Sequence, residues 1–236
     1  MTLSEDLTES AQYTGSIFQR LGELIILFIV SIIPIVDFIA FGYYAKIVRD
    51  SPSSKSAPKL EMYGDMFVEG LKIFVVGIIW AIIAAIVALI IAVPFLAVGV
   101  AAWFTNPAQF ASAGWIFALG AFAIVFGIIA FFIGIIAFMS IIHMVKQKSF
   151  GKAFAFSEIF GAIGKIGWLQ YLAFFVVVFI AVAIVATISG ALGPIGWVIS
   201  ALLSVLEGLF FSRTIGLMYD KPTAAPVQTP TIQPTQ

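Results

Sequence analysis

The sequence has no cysteine, one histidine and little charge. Without cysteine it can form no disulfide, thiolate metal site or redox motif, and the redox compartment stays open. The single histidine, His143, excludes two-histidine metal motifs such as H-E-x-x-H. Charged residues make up 10% of the 236 residues, against ~25% in ordinary soluble domains. Twelve basic residues balance twelve acidic ones, so no basic field for nucleic acid exists. There is no G-x-S-x-G, P-loop or Cys/His set, and no catalysis, cofactor or metal is expected. What remains is apolar: 62% of the chain, more than a soluble fold of this size can hide. The composition reads as an integral membrane protein.

The charges divide the chain. Residues 73–145 and 166–206 contain no Lys, Arg, Asp or Glu. A crossing helix needs ~20 apolar residues, so each run holds two spans and a connector. The breaks lie around Asn106-Pro107 and in Gly190–Gly196, both turn chemistry. The expected spans are about 73–100, 114–144, 168–189 and 195–216, with an earlier one within 17–49. That earlier segment would be ~50 Å long as a straight helix, and Pro34 and Asp37 fall inside it. It reads either as one tilted, kinked span or as two short helices folded into a hairpin around Ser31–Asp37. The expected fold is therefore all-α: a polytopic transmembrane helical bundle of five spans, or six with the hairpin.

Eleven of the twelve basic residues fall in the connectors at 50–72 and 145–167, at their edges, or after the last span. Only Arg20 changes sides between the two readings. The positive-inside rule makes the basic side cytoplasmic and the location the cell (plasma) membrane. Apolar and charged residues alternate at about 62–72 and 150–167, which predicts interfacial helices. Trp168, Tyr171, Tyr43, Tyr44 and Tyr219 would lie at headgroup depth. Residues 1–16 are polar and acidic, the membrane domain covers 17–220, and 221–236 reads as a disordered Pro/Thr-rich tail on the cytoplasmic side. Ile17–Leu24, Ile159–Ile166 and, more loosely, Met66–Lys72 repeat one pattern just before a span. Duplication is one reading, and the convergence of interfacial helices entering lipid on this pattern is the other and the first expectation.

Several stretches carry a family resemblance. Pro34–Arg49 looks like the "P…G-Y…R-I-x-R" ending of a first apolar segment. Pro58–Lys72 resembles a connector ending "D-x-F-x-(acidic)-G-L-K". Ala153–Ile159 is similar to "A-F-x-F-x-E-I", and Phe210–Tyr219 to a closing stretch. The chain thus resembles, over about 17–220, a mostly archaeal family of multi-pass membrane proteins catalogued only as a domain of unknown function. The resemblance implies class and membrane location and no catalytic residues.

Packing signals are clearer than chemical ones. Gly120, Gly127 and Gly134 recur every seven residues. Gly196, Ser200, Ser204 and Gly208 recur every four. Small residues at such spacing let helices approach closely in lipid. Intramolecular seams are the first expectation and a homo-oligomer or another membrane protein the alternative, beside membrane lipids. The candidate intramembrane polar residues are Glu207, His143, Asp37 and Arg213. A carboxylate inside a span reads by default as a proton or ion site; otherwise Glu207 is protonated or paired with His143 or Arg213. The expected role is a non-catalytic membrane scaffold or accessory subunit, the alternative a small transporter or channel for protons, ions or small solutes.

Overall fold

The computed structural model describes residues 2–109 and 114–220, and every regular element among them is helical. The expected Pro/Thr-rich tail lies outside the described residues. Helix α1 (Leu3–Gly15) opens with a capping box: the Thr2 amide donates to Glu5 Oε2 at 2.8 Å. A 3-10 turn, Ser16–Arg20, leads into the apolar α2 (Leu21–Ile32). The chain breaks at residues 33–37, where Pro34 cannot continue the hydrogen-bond ladder and Ile35 takes φ +74°. Then follow α3 (Phe38–Asp50), α4 (Tyr63–Thr105), α5 (Trp115–Gln147), α6 (Phe156–Ile166), α7 (Trp168–Ala191) and α8 (Gly196–Tyr219).

Among the described residues, five helical stretches are long and apolar enough to cross a membrane: Leu3–Ile32, Tyr63–Thr105, Trp115–Gln147, Trp168–Ala191 and Gly193–Tyr219. Their boundaries follow sequence chemistry. α5 stops at Lys148, in the left-handed region at φ +51°. Gly193, at φ +59°, and Pro194 turn the chain between α7 and α8. Pro94 sits inside α4 without ending it, as membrane helices permit.

The first apolar segment folds as a hairpin. α2 and α3 are each ~18–20 Å long, short of the ~30 Å hydrocarbon core. Arg20, just before α2, donates to the Ala57 carbonyl, and the Tyr43 hydroxyl of α3 donates to the Pro58 carbonyl at 2.8 Å. Both helices thus reach the same connector, and Leu24 and Leu27 pack in one cluster with Tyr43 and Ile47.

α3 then lies antiparallel against the start of α4. A Cβ at Gly42 would stand 1.8 Å from the Met66 carbonyl oxygen, and one at Gly70 would stand 1.9 Å from that of Phe38. The two backbones touch, which only glycine permits. This packing carries helix through the charged residues Asp65, Glu69 and Lys72. The separate interfacial helix expected at about 62–72 is therefore the first turns of α4. The segment at 150–167 consists of a 3-10 turn, Phe150–Phe154, followed by α6.

The core gathers at one end of the long helices. Trp80 of α4, Ile135 and Met139 of α5, Ile159 and Ile163 of α6, and Phe174 of α7 share a cluster with Ile215 and Met218 of α8. Polar ties hold it. Trp80 Nε1 donates to Ser140 Oγ at 3.0 Å, and that hydroxyl donates to the Ala153 carbonyl at 2.5 Å. The Tyr171 hydroxyl donates to the Ile135 carbonyl at 2.6 Å. Tyr43 and Tyr171, expected at headgroup depth, are both fully buried, because each hydroxyl finds a carbonyl inside the fold. Beyond this core, no residue of α4 after Trp80 and none of α5 before Ile135 is buried.

Candidate functional site: a polar cluster around Arg213

Arg213 is 1% exposed, the largest fully buried side chain among the described residues. α8 places it in its last two turns, where α1 and the 51–62 connector converge on it. Nη1 donates to Ser51 Oγ at 3.0 Å, and Nη2 donates to a Glu9 carboxylate oxygen of α1 and to the Pro52 carbonyl at 3.3 Å. The guanidinium also lies over the Tyr13 ring, 4.7 Å from its centroid, a cation–π contact strengthened by burial. Gly216, one turn on, makes room: a Cβ there would meet Ser51 Oγ at 2.7 Å.

A second set of polar contacts adjoins through Ser51. The Lys146 ammonium at the end of α5 donates to the Ser51 carbonyl at 2.8 Å and pairs with Asp220. One turn earlier, His143 is 3% exposed. Its Nδ1 meets the Tyr219 hydroxyl at 2.7 Å and its Nε2 meets Glu158 Oε2 at 3.1 Å. A carboxylate only accepts, so Nε2 carries the proton shared with Glu158. Glu158 also pairs with Lys152 at 2.5 Å. The Lys152 hydrogen bond, and after it the one from His143, hold the Glu158 carboxyl below the usual carboxylate range.

The four polar candidates thus separate. Arg213 and His143 join the cluster at the core end. Glu207 does not pair with either of them: Arg213 is taken by Glu9 and His143 by Glu158. Six residues of α-helix turn through 600°, so Glu207 and Arg213 face different sides of α8. Glu207 Oε1 is buried without a hydrogen-bond partner among the described residues, and so is Asp37 Oδ1 at the α2–α3 break. A buried polar atom without a partner is costly.

The glycine series separate as well. A Cβ at Gly120, Gly127 or Gly134 would meet open space, so this face makes no seam among the described residues. α5 turns Phe122 toward α4 instead, 5.8 Å from Phe95 between ring centroids. On α8, a Cβ at Gly196 would stand 1.8 Å from the Ser189 carbonyl oxygen, and one at Gly208 would stand 2.4 Å from the Tyr44 ring. Ser200 is half-buried, and the exposed Ser204 donates to the Ala201 carbonyl of its own helix at 2.8 Å. Four-residue spacing drifts ~40° per step, so the ladder serves α7 at one end and α3 at the other.

Sequence reasoning missed Glu9, Ser51, Gly42 and Gly70. The two glycines carried a signal, since both stand in the stretches that bear the family resemblance. Glu9 and Ser51 carried none, because their roles depend on a partner far away in the chain.

Residues 25–193 match the family described as "Protein of unknown function (DUF4013)". No curated protein and no solved structure matches the chain.

Proposed function

The chain belongs to this family of unknown function, and on that premise we propose that it is a multi-pass protein of the cell membrane acting as a non-catalytic scaffold or accessory subunit. One observation carries the reading. The charged side chains around Arg213 engage one another as Arg213–Glu9, Lys146–Asp220 and His143–Glu158, while α4 beyond Trp80 and α5 before Ile135 bury nothing. Charge holds the fold together at one end, and long apolar faces are offered to lipid and to other membrane proteins. The basic connectors lie on the cytoplasmic side, by the positive-inside rule. With α2 and α3 as a hairpin, Arg20 joins that side too.

Purification from native membranes in mild detergent, followed by mass spectrometry, tests this. The expected result is a defined complex containing a second protein. A monomeric chain carrying only lipid would refute the scaffold.

The second reading is a small transporter or channel, and Glu207 favours it, as a carboxylate with a buried oxygen and no partner among the described residues. Flux into proteoliposomes under a proton or sodium gradient separates the two. The scaffold reading expects no flux above empty liposomes. Flux lost in Glu207→Gln would establish the transporter.

A further inference from the structure

We propose that α6 and its flanks form a docking surface for anionic phospholipid headgroups on the membrane face where α7 begins. The inference rests on reading α7 as a span.

α6 has two faces. Ile159, Ile163 and Ile166 are at most 4% exposed and point into the core. On the outside, Phe156 and Phe160 remain 48% and 43% exposed. The strip does not stop at the helix end. Phe160 lies 6.2 Å from Trp168 between ring centroids, and Trp168 and Leu169 are themselves exposed.

Chain continuity says what covers this strip. Only Gly167, at φ +94°, stands between α6 and the 24-residue, largely apolar α7. One residue spans less than ~4 Å, so α6 is held at the depth where α7 enters lipid. An exposed aromatic strip at that depth meets the boundary between headgroups and acyl chains.

Charge says which headgroups. Lys148, Lys152 and Lys165 surround the strip, and Glu158 is its one acid. Glu158 is engaged by Lys152 and His143. Lys148 and Lys165 are exposed and have no ion-pair partner among the described residues. Two free ammonium groups beside an interfacial strip attract phosphate of net negative charge, each by about fivefold.

The full chain is reconstituted into phosphatidylcholine vesicles containing phosphatidylglycerol, with spin-labelled forms of each lipid as probes. The expected result is a several-fold excess of motionally restricted phosphatidylglycerol over phosphatidylcholine. High salt and the double variant Lys148→Gln/Lys165→Gln should both reduce it toward unity. The control variant Lys55→Gln/Lys59→Gln, on the connector before α4, should keep it. Equal restriction of the two lipids, or a loss as large in the control, would overturn the proposal.

Because the chain lacks cysteine, a nitroxide at Gly161→Cys or Gly164→Cys reports depth cleanly. A Cβ at either position meets open space, so these variants fold. Collision with oxygen exceeding collision with a water-soluble nickel complex is expected. The reverse would put α6 in water and overturn the docking surface while leaving the spans intact. No restricted lipid of either kind would defeat the membrane reading itself.

Discussion

Glu9 and Arg213 stand 204 positions apart and form one ion pair, tying the first helix to the last. The arginine is 1% exposed and the glutamate side chain 37% exposed. The two ends of the pair are therefore not equivalent. Removing Glu9 leaves a buried cation with Ser51 and Pro52, whereas removing Arg213 leaves a carboxylate that water can reach.

The asymmetry sets an order. Arg213→Gln empties a packed site of four contacts and should cost about 2–4 kcal/mol. Glu9→Gln retains an accepting oxygen but leaves the buried guanidinium without its counter-charge, so it should cost the more of the two, about 3–5 kcal/mol. Thermal unfolding in detergent measures both, and equal losses would contradict the geometry.

Glycine positions give the sharpest contrast. Gly42→Ala or Gly70→Ala would force α3 and α4 apart, because the new Cβ falls within 2 Å of a backbone oxygen. A loss of about 3 kcal/mol or more is expected. Gly127→Ala meets open space and should be neutral or stabilise by up to about 1 kcal/mol through helix propensity. A shift in unfolding temperature for Gly127→Ala as large as that for Gly42→Ala would place an unseen contact on α5.

Much of this was legible in the sequence, and the boundary is physical. Apolar length and turn chemistry mark where helices start and stop, because both are local. Pro34 and Asp37 narrowed the first segment to two readings without choosing between them. The choice lay in Arg20 reaching Ala57, a contact made by folding. The same limit explains the glycines. Spacing of seven on α5 is a regular pattern with no partner among the described residues, while Gly42 and Gly70 are isolated glycines that each meet a backbone carbonyl of a neighbouring helix. Periodicity reports a face and says nothing of what covers it. The Arg213 cluster was half visible: the buried cation could be named, but not Glu9 and Ser51.

The pH response should come from Glu158. Its carboxyl is held below the ordinary value, so the stability it contributes is fully present above the unfolded pKa of about 4.3. That stability is lost as pH falls through the lower, folded-state pKa. Wild type should therefore be more stable than Glu158→Gln at pH 7, and the two should converge at strongly acidic pH. A difference independent of pH would assign Glu158 a packing role only.

Topology follows from the hairpin. Single cysteines at Thr8, Ser54 and Ser149 should share a side, because Glu9 pairs with Arg213, Arg213 bonds Ser51, and Lys146 bonds the same residue. All three should resist an impermeant thiol reagent in intact cells, while one at Thr105 reacts. Labelling at Thr8 alone would restore a single first span.

The long unburied stretch of α4 has a consequence for the bilayer itself. From Ala81 to Thr105 it runs ~25 residues, or ~37 Å, against a hydrocarbon thickness of ~30 Å. That excess is a hydrophobic mismatch. It is relieved by a tilt of roughly 35°, or by lipid that thickens around the arm. Of two membranes with the same lipids' chemistry and different chain lengths, the thicker one accommodates α4 and α5 with less tilt. On the proposed membrane reading, helix length alone gives the fold a thickness preference that would sort it toward thicker regions without any receptor.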